Sequence, residues 1–132
     1  MKQIFINLPV QDLEKAVEFY SEIGLSKNPT FSDENQKCMV WSEQIYVMLH
    51  SHKQFSLYSE KNISSTNSIN AYFTLPVDSL KTLNELVEKA LTFGIQETSP
   101  ILDEGFMQLR KIEDFDGHIW DIIHMDLNKF KQ

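Results

Sequence analysis

The sequence predicts an α+β domain built from two consecutive β-α-β-β-β units. The segment FINLPV at 5–10 recurs as YFTLPV at 72–77, an offset of 67 residues, and a helical pattern of apolar residues follows each copy. The segment QIYVMLH at 44–50 recurs as HIWDIIH at 118–124, an offset of 74 residues. Because both matches occur in the same order relative to a helix, an internal repeat is favoured over chance similarity.

The first unit begins with a strand at 5–10 and continues with the helical segment QDLEKAVEFYSEIG. Asp12 is predicted to cap the helix N-terminus, and Gly24 lies where the helix should end. Two short strands are predicted near 25–32 and 37–42, before the last strand of the unit. The predicted buried face of the helix consists of Leu13, Ala16, Val17, Phe19 and Tyr20.

The second unit repeats this order. Asp78 is the predicted N-cap of its helix, and Gly94 marks the helix end. Short strands are predicted near 95–102 and 105–113. The predicted buried face of the helix consists of Leu80, Leu83, Leu86, Val87 and Ala90.

A polar segment rich in Ser and Asn, residues 51–68, is predicted to link the two units. One domain, residues 1–132, then comprises a first module at about 1–50 and a second at about 69–126. A chain of this length can bury a core without disulfide or metal support.

Composition limits the function classes. Cys38 is the only cysteine, which excludes an internal disulfide and a cysteine-based zinc site and fits a reducing, cytoplasmic location. The net charge of −7 argues against nucleic-acid binding, because phosphates require a basic surface. No secretory signal and no apolar run of about 20 residues is found, so no membrane association is expected.

These features resemble the vicinal oxygen chelate superfamily, which includes glyoxalase I, bleomycin and fosfomycin resistance proteins and extradiol dioxygenases. The late turn DFDGH matches the superfamily pattern except for Phe115, where proline is usual. The resemblance covers essentially the whole chain and implies curled sheets that form half-barrels around a central cavity. The early motif of the superfamily is matched by Val10, Asp12, Leu13, Ala16, Phe19, Tyr20 and Gly24.

Strand alternation sorts the side chains between helix and cavity. Phe5 and Asn7 in the first strand, and Tyr72 and Thr74 in its counterpart, are predicted to face the cavity. The last strand places Asp121 on the cavity side.

The superfamily metal ligands correspond to Phe5, Val47, Tyr72 and Asp121. A divalent ion needs several N or O donors, and only Asp121 is an ordinary ligand type. No metal cofactor is therefore expected.

The four histidines do not change this expectation. His118 occupies a structural turn position, and His50 and His124 are predicted on the non-cavity face of their strands. His50 and His52 can chelate an ion in principle, but exposure to solvent at a strand end is the favoured reading. Neither histidine is therefore predicted to bind metal.

Asp121 is the candidate catalytic residue, because a carboxylate in an apolar cavity is costly unless paired. It can accept a hydrogen bond from Tyr72 or Asn7, contact a cationic ligand, act as an acid or base, or face a wet crevice without function. The predicted ligand-binding cavity consists of Phe5, Asn7, Val47, Tyr72, Thr74 and Asp121.

The resemblance implies a protein that binds a small organic molecule without metal, as bleomycin resistance proteins do, and that forms a homodimer. Whether it is an enzyme stays open. One alternative is a metal-dependent lyase or dioxygenase with unusual ligands such as His50 or His52. A second alternative is a regulatory or scaffold protein that kept the fold without chemistry.

Overall fold

The computed structural model describes residues 1–130, which divide into a compact unit from Met1 to Ser65 and a second unit from Thr66 onward. Each unit contains a mixed sheet and a long helix packed against it. The predicted α+β class is therefore confirmed. Within residues 1–130, the longest apolar helical stretch is too short to cross a membrane.

The sheet of the first unit has the strand order β1-β4-β3-β2, with β1 parallel to β4 and the other neighbours antiparallel. A helix, α2, lies within the segment predicted as the linker. Its N-cap is Ser51, whose hydroxyl accepts a hydrogen bond from the Gln54 amide at 3.1 Å. The elements are β1 Ile4–Val10, α1 Leu13–Glu22, β2 Ser26–Asn28, β3 Gln36–Val40, β4 Ile45–Ser51 and α2 His52–Tyr58.

The sheet of the second unit has the order β5-β9-β8-β6, and β7 also pairs with β8. The single strand predicted at 95–102 is wrong, since β6 and β7 are separate short strands on either side of Pro100. Proline cannot donate a ladder hydrogen bond. The elements are β5 Phe73–Pro76, α3 Leu80–Leu91, β6 Gln96–Glu97, β7 Leu102–Asp103, β8 Met107–Glu113, β9 Ile119–Met125 and α4 Leu127–Phe130.

The helix ends follow the predictions with one exception. Asp12 accepts a hydrogen bond from the Lys15 amide at 3.1 Å, so it is the N-cap of α1. The N-cap of α3 is Ser79 and not Asp78, because Ser79 has the extended backbone of a cap and its hydroxyl accepts from the Thr82 amide at 3.0 Å.

Helix burial is narrower on α1 than predicted. Ala16, Phe19 and Tyr20 are buried, whereas Leu13 and Val17 are only half-buried. On α3, Leu80 is exposed at the first turn. The remaining predicted residues of the α3 face are all buried: Leu83, Leu86, Val87 and Ala90.

The pairing of the last strand in each unit corrects the repeat by one residue. Ile6 pairs with Val47, and Phe73, the counterpart of Ile6, pairs with Trp120. Val47 therefore corresponds to Trp120, and its predicted equivalence with Asp121 is wrong. Hydrogen bonds between strands set the register, whereas the sequence match was anchored on the terminal histidines.

Candidate functional site

One face of the first sheet packs against α1, and the opposite face (the open face) carries a cavity of about 470 Å³. The rings of Phe5 and Tyr46 stack on this face, with centroids 4.6 Å apart and planes 10° from parallel. The stack arises because the register of β1 and β4 places these residues opposite each other. The cavity is lined by Gln3, Phe5, Asn7, Asn28, Phe31, Gln36, Cys38, Tyr46 and Met48.

Two residues of the predicted cavity, Phe5 and Asn7, line the open face as expected from strand alternation. Val47 does not, because it is 1% exposed and points to the opposite, buried face. Met48 takes the position that was predicted for Val47.

A second cavity of about 630 Å³ shares Asn7 and Gln36 with the first. Helix α2 closes one side of it, so the polar segment predicted only as a linker supplies part of the cavity wall. No sequence pattern had assigned Gln54 or Glu60 to a site. The lining consists of Asn7, Gln36, His50, Gln54, Phe55, Tyr58, Ser59 and Glu60.

His50 lies in this second cavity, which contradicts its predicted place on the non-cavity face. The one-residue correction of the repeat explains the error. His50 corresponds to Ile123 and not to His124, so it lies on the same strand face as Met48, the counterpart of Asp121. Its Nε2 is 2.8 Å from Oδ1 of Asn7, and the residue is 8% exposed. Among the described residues, none forms a hydrogen bond with its Nδ1.

Acidification should destabilise the protein through His50. Burial lowers the pKa of His50 from its ordinary value of 6.5, although the Asp33 carboxylate opposes this effect. The unfolded chain then binds a proton more readily than the folded chain. The stabilising contribution is complete above about pH 6.5 and is lost as the pH falls toward the folded-state pKa.

Urea denaturation measured between about pH 7 and pH 5 tests this expectation. The free energy of unfolding should fall more steeply with acidification in the wild type than in His50→Gln. Parallel pH profiles for the two proteins would contradict the lowered pKa.

In the second unit, Asp121 is buried and its partner is a residue of its own chain. Nζ of Lys111 donates a hydrogen bond to Oδ1 of Asp121 at 2.5 Å, and the same Nζ lies 4.5 Å from the ring centroid of Tyr72. Thr74 pairs with Asp121 in the strand register and is exposed. Within this unit Thr74 lies opposite Asp121 in the strand register, and Lys111 contacts both Asp121 and Tyr72.

Lys111 was missed, although a signal for it was present. The Asp114 amide donates to the His118 carbonyl oxygen at 2.9 Å, which closes the hairpin between β8 and β9. Counting back from that turn places Lys111 opposite Asp121. Oδ1 of Asp114 also accepts from the His118 amide at 2.8 Å, so His118 lies in the turn as expected.

Arg110 was also missed, and it lies on the helix-facing side of β8. Its guanidinium donates to Glu97 at 2.7 and 2.8 Å, to Glu88 at 3.0 Å and to Asn84 at 3.1 Å. The hydrogen bonds that Arg110 donates to Glu97 raise the pKa of Arg110, so the side chain stays charged. Arg110 ties α3 and β6 to β8.

The comparisons with known proteins agree on the fold. A family model described as bleomycin resistance protein-like N-terminal matches residues 2–42. A comparison with curated proteins gives no significant match. Among solved structures, the hypothetical protein SA1046 from S. aureus has a TM-score of 0.79 at 24% identity, and the match covers 94% of each chain.

Two further structures are similar. A glyoxalase/bleomycin resistance protein/dioxygenase family enzyme from Burkholderia phytofirmans has a TM-score of 0.78 at 14% identity, over 95% of this chain and 99% of that one. A bleomycin-binding protein complexed with bleomycin has a TM-score of 0.62 at 21% identity, over 94% and 98%. The chain has the vicinal oxygen chelate fold. The fold implied by the resemblance is thereby confirmed.

The metal chemistry of vicinal oxygen chelate enzymes does not fit the residues of this chain. With the corrected register the ligand positions hold Phe5, Met48, Tyr72 and Asp121, and the only carboxylate is already paired with Lys111. Throughout residues 1–130, no group of three or more His, Cys, Asp or Glu side chains is arranged to hold an ion. His52 is exposed at the start of α2.

Proposed function

We propose that this vicinal oxygen chelate protein binds a small organic molecule with an aromatic part, without metal, in the adjoining cavities of its first unit. The observation that carries the proposal is the stacked pair of Phe5 and Tyr46 beside Asn7 and Gln36. Pockets for small molecules combine apolar and aromatic walls with a few polar groups that orient the ligand. The bleomycin-binding protein of the same fold supports this proposal as a precedent.

Binding of an aromatic fragment such as 2-naphthol tests the proposal, with amide NMR shifts as the readout. Loss of the stacked ring in Phe5→Ala should weaken binding by roughly threefold to tenfold, the scale of an aromatic pair contact. Leu57→Ala is the control, since Leu57 is exposed on α2 and lines neither cavity. Absence of binding to the wild type would contradict the proposal and favour the regulatory or scaffold alternative.

Elemental analysis of the purified protein should find no stoichiometric Zn, Ni, Mn or Fe. The reason is that the ligand positions of the superfamily offer one carboxylate, and Lys111 already occupies it. About one ion per chain, lost in Asp121→Ala, would contradict the metal-free proposal and revive a metal-dependent lyase or dioxygenase.

Asp121 has no catalytic role in this proposal, because its carboxylate is paired within the sheet. The resemblance to the superfamily supports a homodimer, and the single cysteine supports a cytoplasmic location. Sedimentation equilibrium tests the dimer, since it gives the mass of the species in solution independently of its shape.

A further inference from the structure

We propose that Nδ1 of His50 is the hydrogen-bond acceptor of a ligand subsite, so that the ligand carries an O–H or N–H donor beside its aromatic part. This inference rests on the proposed function, because it assigns one polar contact of the same ligand. It follows from the orientation of the Asn7 side-chain amide, the burial of Nδ1 of His50 and the charge of the residues that line the cavity.

The Asn7 side chain sets the tautomer of His50. Nδ2 of Asn7 donates to the Phe5 carbonyl oxygen at 3.4 Å, which turns Oδ1 toward Nε2 of His50 at 2.8 Å. A carboxamide oxygen only accepts, so Nε2 must carry the proton. In a neutral ring, Nδ1 then carries no proton, and its lone pair can accept a hydrogen bond.

This lone pair is buried, and no donor among residues 1–130 reaches it. A buried acceptor without a partner is costly, and such groups are uncommon outside functional sites. His50 is one of the residues that line the cavity of about 630 Å³, but Nδ1 itself is covered in the ligand-free protein. The proposed donor therefore reaches Nδ1 by displacing a neighbouring side chain when the ligand binds.

The surroundings of His50 select the ligand further. The Phe55 ring lies edge-on to the imidazole, with centroids 6.2 Å apart, and provides an apolar wall. The lining identified for the two cavities includes Glu60 but no Lys or Arg. An anionic ligand is thus disfavoured, and a neutral phenol or alcohol, or an amine, is the fitting class.

The test compares 2-naphthol with 2-methoxynaphthalene, which have the same ring system but differ in the O–H donor. The wild type should bind 2-naphthol roughly fivefold more tightly than the ether, the effect of one neutral hydrogen bond. His50→Phe should bind both probes equally. His52→Phe is the matched control and should retain the preference, because His52 is exposed outside the cavity lining.

A second measurement needs no variant. The ring ¹⁵N resonances of His50 in the free wild type should show an unprotonated Nδ1, and that resonance should move with 2-naphthol and stay in place with the ether. Equal affinity of the wild type for both probes, a preference that persists in His50→Phe, or a protonated Nδ1 would each overturn the subsite while leaving the proposed function standing. Binding of neither probe would overturn both.

Discussion

Replacement of Phe19 by Ala should lower the free energy of unfolding by about 3–5 kcal/mol, the range for truncating a large core side chain. Phe19 is 0% exposed on α1, and its ring meets the ring of Tyr20 edge-on at 4.8 Å between centroids. The substitution removes this packing and leaves a cavity that the helix and sheet cannot fully close. Urea denaturation followed by circular dichroism measures the change.

Glu18→Ala on the same helix is the control, because Glu18 is exposed and the substitution leaves the core intact. Its effect should stay within about 0.5 kcal/mol. A Phe19→Ala protein as stable as this control would show that α1 turns a different face to the sheet.

Replacement of Lys111 by Met should cost about 2–4 kcal/mol, because it leaves the Asp121 carboxylate buried without its partner. The side chain of Asp121 is only 6% exposed. Removing one partner of a buried ion pair is more costly than replacing both partners, because the remaining charge has no counterion. The estimate is below that for a fully buried pair, since the Lys111 side chain is 29% exposed.

The double variant Lys111→Met with Asp121→Asn should recover about half or more of this loss, because the charge that lacked a partner is removed. Lys81→Met is the matched control, since Lys81 and Glu85 form an exposed pair with N and O 3.9 Å apart. That pair should contribute less than about 0.5 kcal/mol. If Lys111→Met and Lys81→Met lowered the free energy of unfolding equally, Asp121 would be shown to be well solvated.

The same pairing revises what Asp121→Asn alone should do. If Asp121 were a cavity carboxylate that contacts a cationic ligand, as the sequence allowed, this change would weaken ligand binding and leave the fold intact. With Lys111 as the partner, the change instead removes an ion pair inside the sheet. We therefore expect an effect on stability rather than on ligand affinity.

Most elements of the fold could be predicted from periodicity, because buried strands and amphipathic helices impose their spacing on the sequence. The residue-by-residue match between β4 and β9 could not, since it depends on their backbone hydrogen bonds to β1 and β5, which no side chain in β4 or β9 reports. This single-residue error placed Val47 in the cavity and His50 outside it. The strand pairing reverses both assignments.

The candidate site was predictable only in part. Phe5 and Asn7 follow from alternation in β1, whereas His50 acquires its role from contacts with Asn7 across the sheet and with Phe55 of α2. Helix α2 was not predicted because its sequence, HKQFSLY, is short and mostly polar. Its position depends on packing against β1 and β4, which is a tertiary interaction.

Cys38 offers a reporter that requires no engineering. It is the only thiol in the chain, and it is buried in β3. Burial also raises the pKa of Cys38. The thiol should therefore react slowly with a thiol reagent while the sheet is closed. The labelling rate then measures how often this part of the first unit opens. Because Cys38 also lines the cavity beside Phe5 and Tyr46, a bound ligand should slow the labelling further. Unknown compounds can thus be screened with the unmodified protein by the protection of one sulfur atom.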